Sequence, residues 1–197
     1  MSELIIDFIT SLDGYASAEG WPGWWGLEGP EYLAWLEERP DRDHTILMGA
    51  NTYRLMHGFA SQSETSESGD PTEDEALAEL TRLPKVVFSS TLETPLSWAN
   101  TRLITGDAVE AVAAMKRDGT SMSTLGSLTL CRSLLEAGLV DRYRVGVFPV
   151  ITGKTGRERI YDGYPDVALD MVASRTFDSS IQLLEYVPTV LTGPPGE

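Results

Sequence analysis

The chain has a single cysteine among its 197 residues, Cys131. No intramolecular disulfide can form, which fits a reducing compartment. Its spacing places Cys131 on the apolar face of a helix, as a packed residue rather than a nucleophile. Only two histidines are present, His44 and His57. Neither joins a Cys or carboxylate cluster of metal-ligand spacing, so no metal is expected. No Gly-x-Ser-x-Gly elbow suggests acyl transfer. No apolar run approaches a membrane span and the amino terminus lacks a basic leader, so a cytoplasmic protein is expected. Cations are scarce too: 15 Lys and Arg against 30 Asp and Glu give a formal charge of −15. That balance argues against nucleic acid or an anionic membrane as partner.

What is present alternates between two patterns. Short apolar, β-branched runs at residues 4–9, 45–48, 85–88, 102–104 and 143–147 predict strands. Between them, amphipathic spacing predicts helices opening at Pro30, after Asn51, near Leu77, at Asp107 (with Glu110 in the capping-box position) and at Leu128. Residues 168–177 and 181–187 alternate around Asp178-Ser179-Ser180 as a hairpin. The expected architecture is α/β: one sheet, parallel first and antiparallel at its last edge. Residues 1–188 are expected to form a single domain and 189–197 a loose tail. Residues 58–76, rich in Ser, Glu, Asp and Gly, read as an acidic, mobile insertion.

The stretch Ser123-Thr124-Leu125-Gly126-Ser127-Leu128-Thr129 takes a strand through a glycine turn into a helix N-terminus. Unpaired N–H groups and the positive end of the helix dipole then converge where a phosphate can sit. Gly49-Ala50-Asn51-Thr52-Tyr53 repeats the junction. Ser89-Ser90-Thr91 closes another strand, with hydroxyls that either hold phosphate or simply turn the backbone. Gly20-Trp21-Pro22-Gly23-Trp24-Trp25-Gly26 reads either as a lid over a planar ring or as a plug for the end of the core. Asp13, in Asp13-Gly14 at the end of the first strand, is a candidate substrate contact or proton donor, or a plain turn residue. Gly153-Lys154-Thr155-Gly156, with Arg157 and Arg159, reads as a basic loop.

Four segments in this order resemble the dihydrofolate reductase superfold, in the branch shared with the reductase domain of bacterial riboflavin biosynthesis. They are Ser11-Leu12-Asp13-Gly14, residues 46–53, residues 86–92, and Gly126-Ser127 with Gly138-Leu139-Val140-Asp141 and residues 149–153. The resemblance implies a mixed sheet with helices on both faces, NADPH across the carboxyl ends of the strands, and a homodimer joined at the sheet edge. It implies cofactor contacts from Gly49, Thr52, Ser89, Ser90, Thr91, Gly106, Gly126, Ser127, Leu128 and Thr129. Trp21, Tyr32 and Tyr53 would line the substrate side, with Asp13 the catalytic candidate.

Three departures accompany the likeness. Gly49-Ala50-Asn51-Thr52 stands where the family has Gly-Arg-x-Thr, so the arginine facing the cofactor's extra phosphate is absent unless Arg54 or Arg102 compensates. Ser127 replaces the second of a glycine pair, adding a Cβ where the backbone must approach the cofactor. Tyr32 occupies the position of the pterin-binding carboxylate, with Glu31 one residue off, so folate is not the expected substrate. The implied function is hydride transfer to a small planar heterocycle or conjugated carbonyl. Reduction of the riboflavin-pathway pyrimidine, or nucleotide binding without turnover, are the alternatives.

Overall fold

The computed structural model describes residues 2–21, 25–63 and 71–194. Ten strands and five helices follow in chain order: β1 (Leu4–Ser11), β2 (Tyr15–Ala18), α1 (Pro30–Glu38), β3 (Thr45–Gly49), α2 (Ala50–Ser63), α3 (Pro71–Arg82), β4 (Lys85–Phe88), β5 (Thr101–Ile104), α4 (Ala108–Arg117), β6 (Met122–Thr124), α5 (Leu128–Glu136), β7 (Arg142–Phe148), β8 (Gly156–Arg159), β9 (Val167–Phe177) and β10 (Ile181–Val190). Eight strands form one sheet in the order β5-β4-β3-β6-β1-β7-β10-β9. The run from β5 to β7 is parallel, and β10 and β9 close it as an antiparallel hairpin. The expected α/β architecture with a mixed sheet is what the chain adopts.

Alternation along the parallel strands divides the core. Leu4, Ile6, Phe8, Leu47 and Met122 point to one face and pack under α4 and α5 with Cys131, Leu134 and Leu135. Ile46, Met48 and Val87 point to the other and pack under α2 with Tyr53, Ala60 and Trp98. On that second face α1 covers β7 and β10, with Tyr32 and Trp25 against Phe148, Ile181 and Leu183. Burial on both faces is why these strands read as near-continuous apolar runs.

The second face also carries charge. Arg144 of β7 grips Asp41 through two bonds, 2.8 and 2.9 Å, and reaches Asp7 at 3.2 Å and Glu185 at 3.3 Å. Arg39 closes the group on Asp7 at 2.7 Å, and Trp35 lies beneath both guanidinium groups. Burial pushes the Asp41 carboxyl up, but the Arg144 and Arg39 charges and hydrogen bonds outweigh it and hold it below its ordinary range.

Several local expectations change. The stretch 58–76 is helical at both ends, since α2 runs to Ser63 and α3 begins at Pro71; residues 64–70 lie outside the described residues. Pro71 suits a helix start, and Leu77 and Leu80 supply its apolar side. The tail expected to be loose from 189 is paired as far as Val190, through Thr189↔Ala168 and Val190↔Val167. The basic 153–159 loop contains β8, which pairs with β2 as a separate two-stranded arm. Gly156 makes that pairing possible, because a Cβ there would stand 2.6 Å from the Tyr15 ring.

Candidate functional site

From β3 the chain turns through α2, on the second face, to β4 and onward to β5. From β6 it turns through α5, on the first face, to β7 in the opposite direction. The order of connections reverses between β3 and β6, and the carboxyl ends of strands at such a reversal are the position where open α/β sheets take ligands. Two hollows of about 600 and 350 Å³ lie instead at the amino ends of the strands, one beside Thr45, Lys85 and Thr101 and one beside Glu3, Ile5 and Arg142. Neither is lined by a predicted site residue.

At this reversal point the two glycine junctions meet. The Gly49 amide donates to Ser127 Oγ at 2.8 Å, and Thr52 Oγ1 lies 2.9 Å from the same oxygen. Ser127 Oγ in turn donates to the Leu125 carbonyl at 3.1 Å. With its one proton on Leu125, Ser127 accepts from both Gly49 and Thr52. Ser127 has φ 67° and Gly126 φ 53°, so both residues are left-handed, and the Ser127 side chain makes no capping bond to α5. The hydroxyl therefore turns away from the helix N-terminus and stitches the two walls together. A Cβ at Gly126 would come 3.3 Å from Thr52 Oγ1. Cys131 donates from below to the Gly126 carbonyl at 3.3 Å, and burial pushes its thiol up to about 12. It is a packed residue, not a nucleophile.

The other predicted residues divide. Ser89, Ser90 and Thr91 follow β4, whose Phe88 pairs with Gly49, and Gly106 follows β5 on the same rim. The Ser89 hydroxyl accepts from the Thr91 and Leu92 amides, both at 3.1 Å, which is the backbone-turning role. Asp13 lies at the carboxyl end of β1. Its carboxylate accepts from Ser11 Oγ at 2.7 Å, Thr152 N at 3.1 Å and Gly153 N at 2.7 Å. Burial is the largest single influence and raises its pKa, but the three donors together outweigh it and lower the pKa to about 2. Asp13 is thus ionised at neutral pH and has no proton to give; it clamps the 152–153 loop to the end of β1.

Two of the three substrate-side candidates are core residues. Tyr32 is buried in an aromatic group with Phe148, Phe177 and Trp35. Tyr53 is buried beside Trp98 and stacks on His57 at 5.6 Å. Glu31 is held at the surface by the Asp178 amide, while the Asp178 carboxylate accepts from the Glu31 and Tyr32 amides, so α1 is capped by the β9–β10 turn. Trp21 is exposed and meets the buried Trp25 edge-on at 6.0 Å. Trp25 plugs the core; residues 22–24 lie outside the described residues.

The arm and the Ser11 hydroxyl were missed. Ser11 Oγ accepts from Tyr15 N at 3.0 Å while bonding Asp13. Arg159 of β8 lies over the Tyr15 ring and donates to the Asp13 carbonyl at 3.3 Å. The signal available was Ser11-Leu12-Asp13, a serine two residues ahead of an aspartate at a strand end.

A family model described as the RibD C-terminal domain matches residues 2–183. The chain is 26% identical over 185 residues to the uncharacterized protein YyaP of Bacillus subtilis (strain 168), covering 93% of each. Its fold is similar to that of a putative riboflavin biosynthesis protein from Shewanella sp. PV-4, with TM-score 0.68, 19% identity, and 95% and 99% of the two chains covered. It is also similar to the riboflavin biosynthesis reductase Rib7 of Saccharomyces cerevisiae, with TM-score 0.61, 15% identity, and 95% and 90% covered. Among the described residues no helix is long and apolar enough to cross a membrane, and no group of His, Cys, Asp and Glu could hold a metal ion.

Proposed function

Because the chain belongs to the RibD C-terminal domain family, a dihydrofolate reductase-like fold whose members are reductases, we propose that it uses a reduced nicotinamide dinucleotide, NADPH or NADH, to reduce a small planar heterocycle or conjugated carbonyl. The observation that carries this reading is the meeting of Gly49, Thr52, Gly126 and Ser127 at the reversal point of the sheet. The bound cofactor would supply the hydride. Its pyrophosphate fits the N–H groups of Leu128 and Thr129 in the first turn of α5, where Gly126 lets the backbone come close. Because the Thr52 and Ser127 hydroxyls bond each other, their task is to hold that turn in shape. The nicotinamide end then falls toward β1 and β7. There the Asp13 clamp fixes the 152–153 loop, and Trp21 and the β2–β8 arm stand over the rim and limit water.

Reduction of the riboflavin-pathway pyrimidine is a narrower version of this reading, supported by the family matched and by the likeness to the yeast reductase. Folate reduction has no support, since Tyr32 is core and Glu31 is committed to Asp178. The exposed edge strand β9, with Leu169, Met171 and Val172 on its surface, supports a homodimer formed by strand pairing.

The test is loss of reduced-nicotinamide absorbance with pyrimidine, dihydrofolate and quinone-like panels, beside a titration of tryptophan fluorescence. Turnover of one panel identifies the substrate class. Quenching with no turnover anywhere would leave a nucleotide-binding protein without catalysis.

A further inference from the structure

Resting on the dinucleotide reading, we propose that the nucleotide seat selects NADH, with its free adenosine 2′-hydroxyl, over the 2′-phosphorylated NADPH. A dinucleotide whose pyrophosphate sits between α2 and α5 places its two nucleosides to either side. The reacting half needs a substrate and shelter from water, and among the described residues Trp21 and the β2–β8 arm extend from the ends of β1 and β7. The adenosine half therefore lies over the ends of β4 and β5, rimmed by the turns at Ser89–Leu92 and Thr105–Asp107.

Arg54, His57, Lys85 and Arg102, the cations on α2, β4 and β5, each bond within the protein. The first helical position of α2 is Ala50, which offers only a methyl group. Arg54 lies one turn farther along α2, and its guanidinium turns back to donate to Asn51 Oδ1 at 3.3 Å. His57 lies deeper still, with Nε2 3.3 Å from Ser97 Oγ. Lys85 starts β4 at the opposite end of the sheet, where its ammonium donates to the Leu80, Thr81 and Leu83 carbonyls at 2.8 to 2.9 Å. Arg102, in the amino half of β5, reaches Met115 Sδ at 3.7 Å. Of these only Arg54 lies within one turn of Ala50, and it would have to leave Asn51 to meet a phosphate there.

What the rim does hold is neutral or negative. Asp107 caps α4 by accepting from Glu110 N at 2.9 Å, and Gly106 beside it is exposed. Ser90 and Thr91 are exposed hydroxyl residues. The turns 89–92 and 105–107 offer a phosphate dianion no guanidinium of their own and set it beside a carboxylate, whereas a ribose hydroxyl can exchange hydrogen bonds with serine and threonine. A charge-assisted bond to phosphate accounts for roughly a ten- to hundredfold preference where it exists, so its absence beside a carboxylate turns the preference toward NADH.

The experiment is parallel titration of the wild-type chain with NADH and NADPH, read by tryptophan quenching and by calorimetry, with Ala50→Arg and Arg54→Gln alongside. Expected are NADH binding at least about tenfold tighter than NADPH, a ratio narrowed or inverted by Ala50→Arg, and a ratio unmoved by Arg54→Gln. Equal or tighter NADPH binding overturns the selectivity while leaving the dinucleotide site standing, and loss of that preference in Arg54→Gln would name the cation responsible. No binding of either nucleotide at millimolar concentration overturns the dinucleotide reading and the selectivity with it. Circular dichroism of both variants separates loss of fold from loss of contact.

Discussion

The Gly49 amide ends its strand on the hydroxyl of Ser127, 78 residues away, at 2.8 Å. One serine thereby satisfies a backbone donor on β3, meets Thr52 on α2, and fixes the left-handed turn that opens α5. Replacing Ser127 by Ala leaves the Gly49 N–H without its acceptor, and the expected loss is about 1–3 kcal/mol in urea unfolding. Ser127→Gly loses the same bonds but relieves the left-handed Cβ, so it should be about 1 kcal/mol less destabilised than the alanine variant. Equal losses would show that the turn carries no backbone cost.

Asp13 predicts an acid dependence. Its folded pKa of about 2 lies below the ordinary value of 3.8, so its contribution is whole above pH 3.8 and is lost as pH falls from there toward 2. Urea midpoints of wild type and Asp13→Asn should therefore converge across that window and differ by a constant amount above it. A difference that first changes near neutral pH would mean that Asp13 titrates there after all, and would restore it as a proton donor.

Arg144 and its acids make the sharpest stability prediction. Arg144→Met leaves the almost fully buried Asp41 with only Arg39, 3.6 Å away and shared with Asp7, and is expected to cost about 3–5 kcal/mol. The double variant Arg144→Met with Asp41→Leu should recover much of this, because it removes the under-compensated carboxylate as well as the pair. Denaturant unfolding of the three chains checks it, and a double variant as unstable as the single one would put the loss in packing instead.

The β9 edge predicts assembly. Met171→Lys with Val172→Lys places two charges on the exposed strand, which should convert a dimer to a monomer in light scattering without changing the far-ultraviolet dichroism. A wild-type chain that is already monomeric sinks the dimer reading.

How much of this was legible depended on where each signal is stored. The runs at 4–9, 45–48, 85–88 and 143–147 became β1, β3, β4 and β7 within a residue or two, because burial on both faces leaves an apolar run that needs no partner to be seen. Both glycine junctions were legible for a similar reason, since strand, turn and helix are consecutive. The orientation of Tyr32 was not, because it depends on how α1 rolls against Phe148 and Phe177. Strands β2 and β8 are only four residues each, β2 half-buried and β8 largely exposed, so neither carries an alternating pattern, and their pairing comes from the closeness of Tyr15 to Gly156. The Asp7–Arg144 contact joins residues 137 apart. In either run a lone charge reads as a solvated residue until the other is beside it. The Ser89 hydroxyl was legible as an oxygen at a strand end but not as one already spent on its own turn.

The placement of β6 has a consequence for how the molecule is made. β1 leaves the ribosome ahead of the other nine strands described, yet its neighbours in the sheet are β6 and β7, through Leu4↔Met122 and Ile5↔Arg142. It has no edge to add to until most of the chain exists, whereas β3, β4 and β5 follow one another and can pair as they emerge. Assembly should therefore begin on the β3–β5 side and end when β6 slides between β3 and β1. The proposed nucleotide seat, on the seam between β3 and β6, is then among the last features to form.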